Sequence, residues 1–494
     1  MRLSHLISLS LALALPSLGA GCRSAESSPA PATEARPPRP VPPDAAVADV
    51  ALLRTTLERL HPGYTRYATP AELAAAWARL DSVAASGPTD LVLFGEVSRL
   101  LAVLRCDHTK AELPVAVEMW RDEHPTHLPF RFRLFDGRMY VDTAFASTGL
   151  ARGDEILALD GSPVGPLLDS LAQFVSIDGF TEHVRVTKLE GDGDLYGTDV
   201  DTYLPVLHGL RERFELVVRR ETGTSRPVTV DAVTFHQWKT LTPGAWRQDF
   251  GTATSLQFLD DTTALLRIPT FVNYRKPVKE KAFVDSLFRD IAAHGTTHLI
   301  LDIGGGGSTE PVDELLRHVI SEPMVITREA RVRANGVPPD IRPHVTTWNK
   351  EYLDPPGGML VAADSGWWRL RPVMDQARKP LTPYRNHFAG RVTILTGPGN
   401  ASGSTMLIAR LHAAGRVRLV GDSTGGSAEG PTAGTLLTLT LPGSGVQVRV
   451  PLVRSWTDAG SFVPGKGVPP DVLVIPTRTD WLAGRDVVLE AARE

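Results

Sequence analysis

Val392-Thr-Ile-Leu-Thr-Gly-Pro-Gly-Asn-Ala-Ser402-Gly-Ser-Thr-Met-Leu-Ile-Ala-Arg-Leu-His-Ala-Ala414 reads as a buried strand, a glycine-rich turn and an amphipathic helix. Val392 to Thr396 is a short β-branched and apolar run stopped by Gly-Pro-Gly, as strands are. Ser404 to Ala414 has apolar residues at helical spacing. Ser402 stands at the join. There its hydroxyl lies at the carboxyl edge of a sheet and the next amide near a helix N-terminus, which serves a nucleophile and half an oxyanion hole. The same position suits a helix cap, and position alone favours capping by Ser402 or Ser404.

Outward from this unit, strands and helices alternate. Ala264 to Ile268 is a strand, Lys281 to His294 a helix, His298 to Asp302 a buried strand and Val417 to Val420 another. That order predicts an α/β domain with a largely parallel sheet. Thr435 to Leu441 and Val446 to Val453, joined by Pro-Gly-Ser-Gly, read as a hairpin. Gly304 to Gly307 follows the strand ending at Asp302. Four glycines suit close backbone approach to a substrate with amides aimed at an oxyanion, or a flexible loop; without a following Gly-Lys-Ser/Thr they do not make a phosphate loop. Residues 330–390 are rich in Pro, Arg and Trp without periodicity and find no place, and no repeat is visible.

Upstream, Val50 to Leu60, Leu73 to Leu80 and Leu91 to Leu104 form three helical patterns broken at Pro62-Gly63 and Gly87-Pro88. Phe130 to Leu134 and Met139 to Asp142 alternate as half-buried strands do. Gly149-Leu-Ala-Arg-Gly-Asp-Glu-Ile-Leu-Ala-Leu-Asp-Gly-Ser-Pro-Val164 resembles the Gly-Asp turn and strand of a PDZ module, a fold that binds peptide ends by strand addition. Residues 166–210 exceed a plain module and imply an insertion, with Phe214 to Val218 and Val228 to Val230 as closing strands.

The chain has 494 residues, 52 basic against 56 acidic, a formal net charge of −4 and two cysteines. This excludes a strongly basic nucleic-acid binder, a disulfide scaffold and a cysteine zinc site. Beyond the N-terminus there is no apolar run of membrane-spanning length. Residues 1–22 have the charged start, short apolar stretch and small residues of a secretory signal. Leu18-Gly-Ala-Gly-Cys22 resembles a bacterial lipobox, with Gly19 where Leu is usual, so Cys22 is the expected lipidation site. Arg23 in place of the inner-membrane Asp implies the outer membrane. Residues 23–45, rich in Pro, Ala and Ser, are expected to be a disordered extended tether.

Other candidate groups are weaker. Gly421-Asp-Ser-Thr-Gly425 matches Gly-x-Ser-x-Gly, but the elbow needs a helix where Gly426 to Gly434 is Gly- and Pro-rich. His124 and His127 lack zincin spacing, and no metal or other cofactor is expected. His108, at the end of the third helix, reads as structural on its own.

Taken in order, these segments resemble peptidase family S41, which includes the tail-specific proteases. Leu301-Asp-Ile-Gly-Gly-Gly-Gly-Ser308 partly matches its glycine motif, with glycine where the pattern has Arg and Asn. Phe388-Ala-Gly-Arg-Val-Thr-Ile-Leu-Thr396, Ser402, Val420-Gly-Asp-Ser-Thr-Gly-Gly426 and Gly467-Val-Pro-Pro-Asp471 follow in family order. Tail-specific proteases pair the serine with a lysine about 25 residues on; that position falls near Ser427, and the sole lysine after Ser402 is Lys466. The branch similar to the tricorn core protease and the interphotoreceptor retinoid-binding protein repeats takes a distant His, matched by Cys106-Asp-His-Thr109.

The resemblance implies an α/β, parallel-rich ββα-type (ClpP/crotonase-like) catalytic domain over residues 237–494. A helical domain over 46–125 and a PDZ-like module with insertion over 126–236 precede it. It implies a cell-envelope serine endopeptidase, on the periplasmic face, acting on peptides or unfolded protein and not on nucleic acid. Ser402 is then the nucleophile and His108 the base, with an oxyanion hole from Gly403 and Gly305, Gly306 or Gly307. Asp107, Asp422 and Glu429 are candidates to orient His108; the Glu expected near Pro464 is missing. The alternative is an inactive relative that binds apolar ligands or peptides. An α/β-hydrolase would need an Asp and His after Ser402, where the only histidine, His412, lies inside the helix.

Overall fold

A computed structural model describes residues 34–191, 197–242, 248–375 and 378–494. The expected signal, Cys22 and residues 23–33 of the tether lie outside the described residues. The fold is α/β, with three sheets among the described residues.

The six-stranded sheet runs in the order Val472–Leu473, Arg418–Gly421, Arg391–Thr396, His298–Ile303, Thr263–Ile268 and Ser255–Phe258. All neighbours are parallel except the last pair. Its central strands read as apolar runs because both faces are covered. Leu299, Leu301 and Ile394 face one apolar cluster, which includes residues of the helices Glu280–Ala293, Thr309–Val319 and Gly403–Ala413. Ile300 and Leu395 face another, closed by Ala492 of Val487–Arg493. Strands and helices expected in this region are present to within a residue or two.

Phe130–Phe135, Arg138–Ala144, Glu155–Leu159, Arg213–Arg219 and Ser225–Asp231 form an antiparallel sheet. Three helices, Val164–Ala172, Val184–Glu190 and Asp199–His208, occupy the expected insertion.

Two expectations change. The helices Pro43–Leu60, Pro70–Ala85 and Asp90–Val103 do not close a core of their own: their apolar faces merge with those of this antiparallel sheet and of the hairpin Thr432–Thr440/Gln447–Thr457. Asp49, fully buried, accepts from the Gly443 and Ser444 amides at 2.8 Å each, tying the first helix to the hairpin turn. The hairpin heads a seven-stranded sheet that also takes Thr327–Val332, Leu360–Ala362 and Trp368–Leu370 from the stretch without periodicity. Leu360–Ala362 and Trp368–Leu370 have three residues each, too few for alternation to register, and burial along Thr327–Val332 does not alternate. Residues 35–45 are docked rather than tether-like. Arg36 pairs with buried Asp90 at 2.7 Å, and Val41 is buried with its amide on Pro88. Proline-rich chain is already extended, so docking it forfeits little backbone entropy.

Candidate active site

Parallel register puts the ends of His298–Ile303, Arg391–Thr396 and Arg418–Gly421 side by side, so the three loops that follow converge at one sheet edge. In open α/β sheets this carboxyl edge is where ligands bind.

The middle loop carries Ser402. Its backbone has φ 54° and ψ −122°, a region strained for a residue with a Cβ. It stands at the cap position of Gly403–Ala413 yet its side chain makes no capping bond. Ser404 and Thr405 instead bond back to the Ala401 and Asn400 carbonyls, at 2.9 Å each. Buried Asn400 locks the turn: its Oδ1 accepts from the Gly397 amide at 2.7 Å, and its Nδ2 donates to the Ile303 carbonyl of the neighbouring strand. The Gly403 amide, first of its helix, has no carbonyl a turn behind it.

The glycine loop lies against this turn. A Cβ on Gly306 would sit 2.7 Å from Ser402 Cβ and 3.2 Å from its Oγ. At Gly307 a Cβ would meet the Phe271 backbone at 2.2 Å, where the two residues form a parallel bridge. Gly305 precedes both, and a Cβ there would lie 3.4 Å from the Pro269 carbonyl oxygen. The glycines thus provide close approach, on one side to the serine and on the other to a neighbouring backbone.

His108 follows the helix Asp90–Val103, in a segment bracketed by 176–179: Gly179 N–H donates to Arg105 O at 2.9 Å and Ser176 Oγ to Thr109 O at 3.0 Å. Among the described residues no hydrogen bond joins His108 to Ser402, and its buried Nδ1 has no partner. Burial, with Lys110, Lys188 and Arg449 nearby, outweighs Asp107 and holds the imidazole down at about 4, so it is neutral at pH 7. Thr109 is fixed by buried His61, whose Nε2 is 2.7 Å from Thr109 Oγ1 while Gly63 N–H donates to Nδ1 at 3.1 Å.

The three carboxylates considered for orienting His108 are engaged elsewhere. Asp107 binds Lys188, with Lys110 at 3.7 Å; although burial opposes ionisation, these lysines hold its carboxyl far below the usual range. Asp422 follows Arg418–Gly421 and accepts from Ser423 N–H at 2.7 Å. Glu429 accepts from Tyr67 at 2.6 Å and the Gly465 amide at 3.1 Å, with Arg66 at 2.9 Å. Lys466, the one lysine after Ser402, donates to the Phe180 carbonyl at 3.0 Å. Cys106 is a buried free thiol pushed up to about 12, chiefly by burial.

Sequence reasoning missed Asn400 and Asp178. Asn400 has a signal, since Asn in a Gly-rich turn commonly bonds nearby backbone. Asp178 has none: it accepts from Ser427 N–H at 2.8 Å, 249 residues away. Among the described residues no cluster of three His, Cys, Asp or Glu is arranged to hold a metal ion.

Residues 262–474, which span the parallel sheet and its loops, match the model of peptidase family S41. The structure is similar to mature CPAF complexed with lactacystin, with a TM-score of 0.61 and 15% identity over 91% of this chain and 98% of that one. It is also similar to mature CPAF (TM-score 0.55, 16% identity, 89% and 94% covered) and, more loosely, to the photosystem II D1 C-terminal processing protease (0.41, 16%, 87% and 93%). No curated protein matches the sequence. The family match falls on the loops that carry Ser402 and the glycines, so residues 262–474 are similar to peptidase family S41, and the solved structures share the fold of the chain.

Proposed function

We propose that this protein is a serine peptidase of family S41 that cleaves peptides or unfolded protein through an acyl-enzyme, with Ser402 as nucleophile and His108 as general base. The observation that carries the reading is Ser402 itself: a strained backbone, a side chain without a capping bond, and Gly306 at its side. Such strain persists only where the surroundings impose it, and it gathers at sites of chemistry. The neutral His108 imidazole is in the form a base requires.

Ser402 Oγ attacks the scissile carbonyl carbon as His108 takes its proton. The oxyanion sits against the Gly403 amide and one from Gly305 to Gly307, each such donor contributing roughly 3 kcal/mol. The C–N bond then breaks, the imidazolium protonates the leaving amine, and water activated by His108 hydrolyses the ester. The PDZ-like sheet would present an extended substrate by strand addition.

The N-terminal sequence supports a cell-envelope location, with Cys22 lipidated in the outer membrane. Membrane association lost in Cys22→Ala would support the anchor, and unchanged association would remove it.

A fluorophosphonate serine probe tests the chemistry. Labelling of the wild type that disappears in Ser402→Ala and His108→Ala is expected. A folded wild type that resists labelling would overturn the reading in favour of an inactive, ligand-binding relative.

A further inference from the structure

We propose that Asp178 is a positioning residue, whose carboxylate latches the loop after Arg418–Gly421 to the histidine-bearing segment and so sets His108 relative to Ser402. The inference rests on the Ser402–His108 reading.

The connection is continuous. Residues 176–179 bond both sides of His108, at Arg105 and Thr109. Asp178 accepts from Ser427 N–H at 2.8 Å, and the adjacent Gly426 N–H donates to Asn400 O at 2.9 Å. Asn400 is two residues before Ser402 and also holds the strand that leads into the glycine loop. A short set of hydrogen bonds thus spans from one catalytic arm to the other.

Asp178 is buried, and a backbone amide needs no charge in its acceptor. A neutral Asn would accept from the same amide, more weakly, without the desolvation cost of a carboxylate. A buried charge kept at such a place points to a task beyond packing. Facing it are Arg66 and Tyr67 from the loop after the first helix, Cys106 and Asp107 from the histidine segment, and Ser427 and Glu429 from the latched loop. Burial raises its carboxyl to about 6, against Arg66 and the Ser427 amide, with Asp107 and Glu429 adding to the rise. Below that pH the latch holds a neutral acid, a weaker acceptor.

The test is the rate of fluorophosphonate labelling of the full chain between pH 4 and 8, beside Asp178→Asn and Ser402→Ala, with melting of each. The wild type is expected to lose rate below about pH 6. Asp178→Asn should label about tenfold slower at pH 7, with a profile flat until His108 protonates near 4. A role in stability alone would lower melting without moving the profile, and would overturn the proposal. So would a labelled wild type with no inflection between pH 5 and 7, a result that stands even where Asp178→Asn fails to fold. A wild type never labelled would overturn the Ser402 reading itself; labelling at equal rates in wild type and Asp178→Asn would overturn only the latch.

Discussion

On the Ser402 side of the site, strand, turn and helix are consecutive in the chain from Arg391 to Ala413, and Asn400 bonds within its own turn. On the His108 side, the segment 105–109 is held by His61, by 176–179 and by Thr432, whose carbonyl accepts from Cys106 Sγ at 3.5 Å. One arm is organised by neighbours in sequence on a parallel sheet; the other is assembled from distant loops around buried polar groups. Damage to the first should therefore fall on chemistry, and damage to the second should reach stability and pH dependence as well.

Ser402→Ala tests the local arm most directly. Labelling and peptide hydrolysis should fall by about 10⁴ or more with melting unchanged, since removing a nucleophile abolishes the covalent route. A variant retaining a tenth of wild-type hydrolysis would place the chemistry elsewhere. His108→Ala should cost about 10³ to 10⁴ in kcat, and added imidazole should restore part of it by filling the vacated space. Gly306→Ala should lower kcat by about a hundredfold through displacement of Ser402, because a misplacement near 1 Å costs that much; an unaffected rate would show that the glycine loop yields freely.

Two measurements bear on the distant arm. Glu429→Gln leaves Arg66 without its buried partner and should cost about 3 kcal/mol in unfolding free energy. Loss below 0.5 kcal/mol would mean that the loop is held without this pair. The smallest effect concerns acid. His61 is lowered from 6.5 to about 3, first by burial, so it is neutral when folded. Its contribution is fully present above pH 6.5 and is lost as pH falls from there toward 3, by about 1.4 kcal/mol per unit. Denaturant unfolding at pH 7.0 and 5.5 should show this slope in the wild type and a flatter one in His61→Gln; equal slopes would locate acid sensitivity elsewhere.

Much of the parallel sheet was legible in the sequence because its strands are continuous apolar runs separated by helices of ordinary length. The hairpin was legible from Pro-Gly-Ser-Gly between two alternating segments, although only the structure shows Asp49 holding its turn. The docking of residues 35–45 was hidden because composition reports a lack of apolar side chains and not the presence of a partner such as Asp90. For the same reason Thr327–Val332 and Trp368–Leu370 escaped notice: the first becomes a strand by pairing with the long hairpin, and the second by pairing with the first.

The sequence alone determined the α/β class, the strand–turn–helix unit bearing Ser402, and the family order of motifs, because these depend on short-range spacing and backbone preference. Tertiary structure decided the strain at Ser402, the approach of Gly306, the merging of helices and hairpin into one core, and the pairing of Asp178 with Ser427. Each of these is a contact between segments whose separation along the chain carries no energy term of its own. Only the folded arrangement, with water removed and buried polar groups in need of partners, selects them.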